Sequence, residues 1–126
     1  MKHIDVLIID DEEKFAAMLS KRIMLRGFSS DICHDGGQAL EWVADPDNRA
    51  TLILLDLQLP DMYGTNVLTE IKKIDPAVPV IILTGHGTEK DREECSRLGA
   101  YRFVHKPIQI DDIVAVLGEI GEAKSQ

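Results

Sequence analysis

Four stretches of the chain are apolar at almost every position and end abruptly in a polar group: Ile4 to Ile9, Leu52 to Leu55, Val78 to Leu83 and Tyr101 to Val104. Runs this short, bounded by turn residues, predict strands buried on both faces, as in a parallel sheet covered by helices. Between them the period changes. Phe15, Leu19 and Ile23 recur at four-residue spacing among Lys14, Lys21, Arg22 and Arg26, predicting an amphipathic helix over 13–26 that Gly27 stops. Ser29 to His34 alternates weakly and predicts an edge strand. A helix over about 37–44 follows, with Ala39, Leu40 and Val43 inward, closed by the turn Asp45-Pro46-Asp47-Asn48.

The pattern continues in the second half. Val67, Leu68, Ile71 and Ile74 predict one face of a helix over 64–74, ended by Asp75-Pro76. Pro79 sits near the start of the fourth strand, where a missing amide donor is tolerated. The segment 88–98 is crowded with charge, and only Cys95 and Leu98 offer apolar contact, so it reads as a weakly anchored helix. Ile110, Ile113, Val114, Leu117 and Ile120 predict the last helix. Residues 122–126 are read as a polar tail or the start of a linker, with Gly121 to Gln126 frayed. Five strands each followed by a helix predict an α/β fold, a doubly wound five-stranded parallel sheet with right-handed crossovers and helices on both faces.

The strand ends carry the candidate chemistry. The first ends in Asp10-Asp11, the third in Asp56, the fourth in Thr84-Gly85 and the fifth in His105-Lys106-Pro107. If the sheet is parallel, these groups share the edge where open α/β sheets collect ligands. An isolated Asp after a strand more often begins a turn or caps a helix, but three further strand ends of the same kind shift the balance toward a site. Asp10, Asp11 and Asp56 placed together would repel, so one is protonated or a cation compensates. An all-oxygen, water-rich set of carboxylates suits magnesium. Glu12 and Glu13 are read differently, as negative charge loading the positive end of the first helix. A carboxylate beside Mg2+, an ammonium and a hydroxyl is equipped to attack a phosphoryl group, giving an aspartyl phosphate.

Composition narrows the alternatives. With 126 residues and 44% hydrophobic content the chain has room for one core. A net charge of -8 argues against a nucleic-acid surface, which needs clustered Lys and Arg. Cys33 and Cys95 lack disulfide-framework or zinc spacing and read as free thiols. No signal-peptide core and no membrane-length apolar run occurs, so a cytoplasmic protein is expected. His3, His34, His86 and His105 have no metal-ligand spacing. His86, two residues past Thr84, could lie over a phosphoryl group, and Trp42 reads as helix packing.

The chain resembles the receiver domain of two-component response regulators. The acid pair Asp10-Asp11, Asp56 followed four residues later by Pro60 and eight later by Gly64, Thr84-Gly85, and Lys106-Pro107 all fall in that family's order. The resemblance implies a receiver domain over 1–121 with flavodoxin-like strand order 2-1-3-4-5. It implies that Asp56 accepts phosphate from a histidine kinase or phosphotransfer protein, and that Asp10, Asp11, Asp56 and the Gln58 backbone carbonyl hold Mg2+. Thr84 and Lys106 would hold the phosphoryl oxygens, Lys106–Pro107 would be cis, and Thr84 with Phe103 would form the switch. Phe103 stands where the family often has Tyr, so packing must distinguish its rotamers. The domain is then a signalling module that is itself phosphorylated and slowly dephosphorylates, not an enzyme with turnover. Its output face recruits an effector or a second copy, with no nucleic acid or membrane bound directly. A haloacid-dehalogenase-like phosphatase also uses a strand-end Asp with magnesium, but it wants a second Asp two residues on, and Gln58 cannot shuttle a proton. A flavodoxin-like mononucleotide binder needs a Gly, Ser or Thr-rich loop after the first strand, where Asp10-Asp11-Glu12-Glu13 would repel phosphate.

Overall fold

The computed structural model describes residues 2–125, and the chain alternates strand and helix throughout. In order the elements are β1 (Lys2–Ile9), α1 (Glu13–Leu25), β2 (Ser30–Cys33), α2 (Gly36–Ala44), β3 (Asn48–Leu55), α3 (Gly64–Ile74), β4 (Val80–Thr84), α4 (Glu89–Arg97), β5 (Arg102–His105) and α5 (Ile110–Ser125). The strands form one sheet in the order β2-β1-β3-β4-β5, and every pairing is parallel.

Why the central strands are apolar at every position is plain from where alternate side chains go. Leu7, Ile9, Ile53, Leu55, Val80 and Ile82 pack on one face with Ala39 of α2, Val67, Leu68 and Ile71 of α3 and Cys95 of α4. Val6, Ile8, Leu52, Leu54, Ile81 and Leu83 pack on the other with Ala16, Leu19 and Ile23 of α1 and Ile113, Val116 and Ile120 of α5. Both faces are covered, so neither register of the period-two pattern can be polar. β2 and β5 lie at the edges, where four residues each suffice.

Several element details differ from the sequence reading. β1 and β3 begin earlier than their apolar cores, because Lys2 pairs with Asn48 and His3 with Arg49, and backbone pairing needs no apolar side chain. Ile74 is 45% exposed at the end of α3, where the helix has turned its last residue off the core, and Val116 lies buried on α5 while Val114 is only half-buried. α5 extends past Gly121 to Ser125, where the helix formers Glu122, Ala123 and Lys124 offset the roughly 1 kcal/mol cost of that glycine. Gln126 lies outside the described residues. α4 is as weakly anchored as its composition implies: Cys95 is its one buried residue, and a capping box of Thr88 and Asp91 holds its first turn. Among the described residues no helix is long and apolar enough to cross a membrane.

Candidate functional site at the strand ends

Register brings the acids together. Ile9 pairs with Leu55, so the next residues, Asp10 and Asp56, leave the sheet side by side. Their amides stay in the ladder, Asp56 N–H donating to the Ile9 carbonyl at 3.0 Å and Asp10 N–H to that of Cys33 at 3.0 Å. Both side chains are buried, at 3% and 8% exposure, an unusual place for carboxylates. Each resolves its burial in the same way. Oδ1 of Asp10 accepts from the Glu12 amide at 2.9 Å and Oδ1 of Asp56 from the Gln58 amide at 3.2 Å. The two Oδ2 atoms face the Lys106 ammonium, at 2.8 Å and 3.2 Å.

Lys106 arrives from beyond β5, its amide donating to the Thr84 carbonyl at 2.8 Å and its peptide bond to Pro107 being cis. Its Nζ also meets Glu12 Oε1 at 2.6 Å and lies 4.6 Å from the centre of the Phe15 ring. The sequence reading assigned Glu12 to the helix end and Phe15 to the core. They stand three residues apart at the start of α1, Glu12 as the residue that precedes it and Phe15 in its first turn, and flank the ammonium, which i, i+3 spacing could have suggested. Burial works to lower the Lys106 pKa, but its hydrogen bonds to Asp10 and Glu12 and the charges of Asp10 and Asp56 outweigh that, leaving the pKa raised. Burial pushes the Asp56 carboxyl above its usual range, against the pull of the Gln58 amide and of Lys106. The carboxylate is thus held in a higher-energy state that a further cation would relieve.

Asp11 is exposed and completes the acid group. One ligand oxygen from each of Asp10, Asp11 and Asp56 lies within 4.8 Å of the others. These hard oxygen donors, with surplus negative charge and one member open to solvent, fit a divalent ion that keeps part of its water shell. A cleft of about 650 Å3 opens over the group, lined also by Gln58, Pro60, Thr84, Gly85 and His86. Thr84 is buried at the end of β4, and its Oγ1 accepts from the His86 amide at 3.3 Å. Phe103 is half-buried, its ring edge-on to His105, with the Arg92 guanidinium 5.1 Å from its centre. Glycine at 87 is what lets the ring approach: a Cβ there would lie 2.5 Å from Phe103 Cζ and 2.6 Å from the Thr84 methyl. The other histidines find local partners, His3 at Thr51 Oγ1 (3.1 Å), His34 at the Asp10 carbonyl (3.1 Å) and His105 at the Gly87 carbonyl (3.0 Å). Trp42 packs beside the core and donates to Asp31 at 3.0 Å.

The family model described as the response regulator receiver domain matches residues 6–118. The chain belongs to the response regulator receiver domain family. It is 36% identical over 117 residues to an NtrX-like response regulator from Rickettsia bellii, covering 93% of this chain and 24% of that protein. It is likewise 36% identical over 110 residues to the transcriptional regulatory protein YkoG from Bacillus subtilis, covering 87% of this chain and 47% of that one. Among solved structures it is similar to the receiver domain of NtrX from Brucella abortus, with 30% identity, a TM-score of 0.82, and coverage of 94% of this chain and 98% of that one. The chain spans about a quarter of the length of the NtrX-like relative. The chain therefore carries a receiver domain of two-component response regulators, a signal-transduction module, and nothing in these matches supports a haloacid-dehalogenase phosphatase.

Proposed function

We propose that this receiver domain takes a phosphoryl group onto Asp56 from the phosphohistidine of a histidine kinase or phosphotransfer protein. The observation that carries the reading is the Lys106 ammonium lying 2.8 Å from Asp10 and 3.2 Å from Asp56, with Asp56, Lys106 and Thr84 lining one open cleft. A carboxylate oxygen of Asp56 attacks phosphorus, the P–N bond breaks, and the imidazole leaves with its electron pair and takes up a proton. Mg2+ held by Asp10, Asp11, Asp56 and the Gln58 carbonyl would supply charge neutralisation for the phosphoryl oxygens. The Lys106 ammonium, already beside Asp56, follows the charge onto the phosphoryl group, and the Thr84 hydroxyl donates a hydrogen bond to it. Asp56 is consumed once per event, with slow self-dephosphorylation, so the domain has no turnover on an outside substrate.

Output leaves by α4, β5 and α5. As Thr84 turns toward the phosphoryl group, its methyl withdraws from Phe103, and the ring fills the space behind it. Fully burying an exposed apolar ring is favourable by about 1.5–3 kcal/mol, and with Phe103 already half-buried about half of that remains, enough to shift a two-state equilibrium by up to roughly one order of magnitude. Residues 1–121 form the receiver unit in this reading, and the shifted face recruits an effector or a second copy. The test is labelling with acetyl phosphate and Mg2+, where the P–O bond of the acyl phosphate breaks as the Asp56 oxygen–phosphorus bond forms and acetate leaves. One label per chain is expected, lost in Asp56→Asn. Labelling of that variant at the wild-type rate would overturn the assignment.

A further inference from the structure

The loop between β3 and α3 carries Gln58 and is tied down at two places. At its base, the Gly64 amide donates to the Leu57 carbonyl at 2.6 Å, and Gln58 and Tyr63 form a bridge. At its tip, Asp61 reaches across to α2, where Oδ1 accepts from the Gly36 amide at 2.8 Å and Oδ2 from the Gly37 amide at 2.9 Å. These are two of the first-turn donors that a helix cannot satisfy internally. The third, Gln38, is capped at 2.7 Å by Asp35, the residue local to the helix. The same helix end therefore takes one cap from its own chain segment and two from the loop that borders the phosphorylation site.

The contact is built closely on both sides. A Cβ at Gly36 would lie 2.7 Å from Met62 Sδ and 3.1 Å from a Val67 methyl, so any larger residue would have to displace the Met62 side chain for α2 to settle onto the loop tip and the start of α3. Asp61 is three residues from Gln58, whose amide holds Asp56 Oδ1 at 3.2 Å. A carboxylate bonded at both oxygens leaves the tip little freedom to rotate, and that restraint is passed along three residues to the Gln58 main chain. Without it the tip would be held only by the packing of Leu59 and Met62 against the core and by the hydrogen bonds at the loop's base.

We propose that Asp61 is a positioning residue for the divalent cation: its clamp on the Gly36 and Gly37 amides holds the β3–α3 loop so that the Gln58 main chain faces Asp10, Asp11 and Asp56. The inference rests on the metal-binding reading given above. Asp61 touches neither the metal nor the phosphoryl group, and it acts through the loop that carries Gln58. Outer-shell partners that orient metal ligands commonly alter affinity by ten-fold or more when removed.

The test compares Asp61→Ala with Asp35→Ala by Mg2+ titration, followed through the amide shifts of residues 56–64. Both variants lose cap bonds on α2 and both should lower the melting temperature, but only the first releases the loop. Asp61→Ala is expected to raise the Mg2+ dissociation constant about tenfold. In the metal-free protein it should also speed hydrogen exchange at the Gln58 amide. Asp35→Ala should stay within about twofold of wild type on both measures. Asp61→Asn, whose amide oxygen can accept one of the two bonds, should fall between, and it serves as the reporting variant if alanine does not fold. Equal Mg2+ affinity in wild type, Asp61→Ala and Asp61→Asn would overturn the proposal and leave the cap a structural one. Equal loss in Asp35→Ala would do the same by assigning the effect to α2. A wild-type protein that binds no Mg2+ at all would instead refute the underlying reading of the site.

Discussion

Replacing Lys106 with methionine puts an unbranched apolar side chain beside Phe15, where the ammonium now lies over the ring, and removes the charge that three carboxylates share. Asp10 and Asp56 would then stand buried side by side in the metal-free protein. Breaking a buried ion pair from one side costs about 3–5 kcal/mol. The variant has an escape that sets a ceiling, because it can protonate Asp56. At pH 7, protonating a carboxyl of ordinary pKa near 3.9 costs about 1.36 kcal/mol for each of roughly three units, or about 4 kcal/mol. The wild type already carries part of this cost, since burial raises Asp56 there too. Glu12 is mostly exposed and adds little. The expected deficit is about 3 kcal/mol at pH 7, or roughly 10 °C in melting temperature for a domain of this size.

The sign with pH follows from linkage. In the variant the folded state holds a proton on Asp56 that the unfolded state releases above about pH 4, so stability falls as pH rises and recovers as pH drops through the raised folded pKa. The deficit should shrink by up to about 1.4 kcal/mol per pH unit between 7 and 5. Lys106 itself contributes no slope there. Its folded pKa is raised, so its stabilisation is fully present below the ordinary lysine range and is lost only as pH rises through the folded value. Urea unfolding followed by circular dichroism in EDTA, at pH 5, 6, 7 and 8, measures the difference, and saturating Mg2+ should restore most of it. A deficit under 1 kcal/mol at pH 7, or one indifferent to pH, would show that the ammonium is not what makes the buried acids tolerable.

Three further outcomes are expected. Asp11→Ala should abolish Mg2+-dependent phosphorylation while the metal-free protein melts at or above the wild-type temperature, because removing one carboxylate relieves repulsion; a clear fall in melting temperature would make Asp11 structural. Gly64→Ala should destabilise the fold by about 2 kcal/mol or more and slow phosphorylation, since its Cβ would lie 2.5 Å from Leu57 Cα and 2.6 Å from the Asp56 carbonyl oxygen, main-chain atoms that cannot step aside. Hydrogen exchange with and without beryllofluoride should change protection across α4 and at Phe103, because Cys95 is the one buried residue of α4 and its other ties, such as the capping box and Arg92 on the Phe103 ring, are exposed. Changes confined to the neighbourhood of Asp56 would send the output through another surface.

The apolar runs and the acids that end them were legible in the chain itself, because burial on both sheet faces leaves no polar position and a parallel sheet sends every strand end to one edge. That logic located Asp10, Asp11, Asp56, Thr84 and Lys106 without any three-dimensional information. It also identified α4 as a weakly anchored helix, since a segment with so few apolar residues has little to bury. What only the tertiary structure decided are the pairings between distant segments. Glu12 and Lys106 are 94 residues apart, and their 2.6 Å contact exists only once β5 has paired with β4 and α1 has packed on the sheet. Asp61 caps a helix that begins 25 residues before it, a partnership no local cap rule contains. The extension of α5 past Gly121 and the exposure of Ile74 have the same origin, for helical periodicity says which side chains share a face but not where a neighbouring element stops covering it.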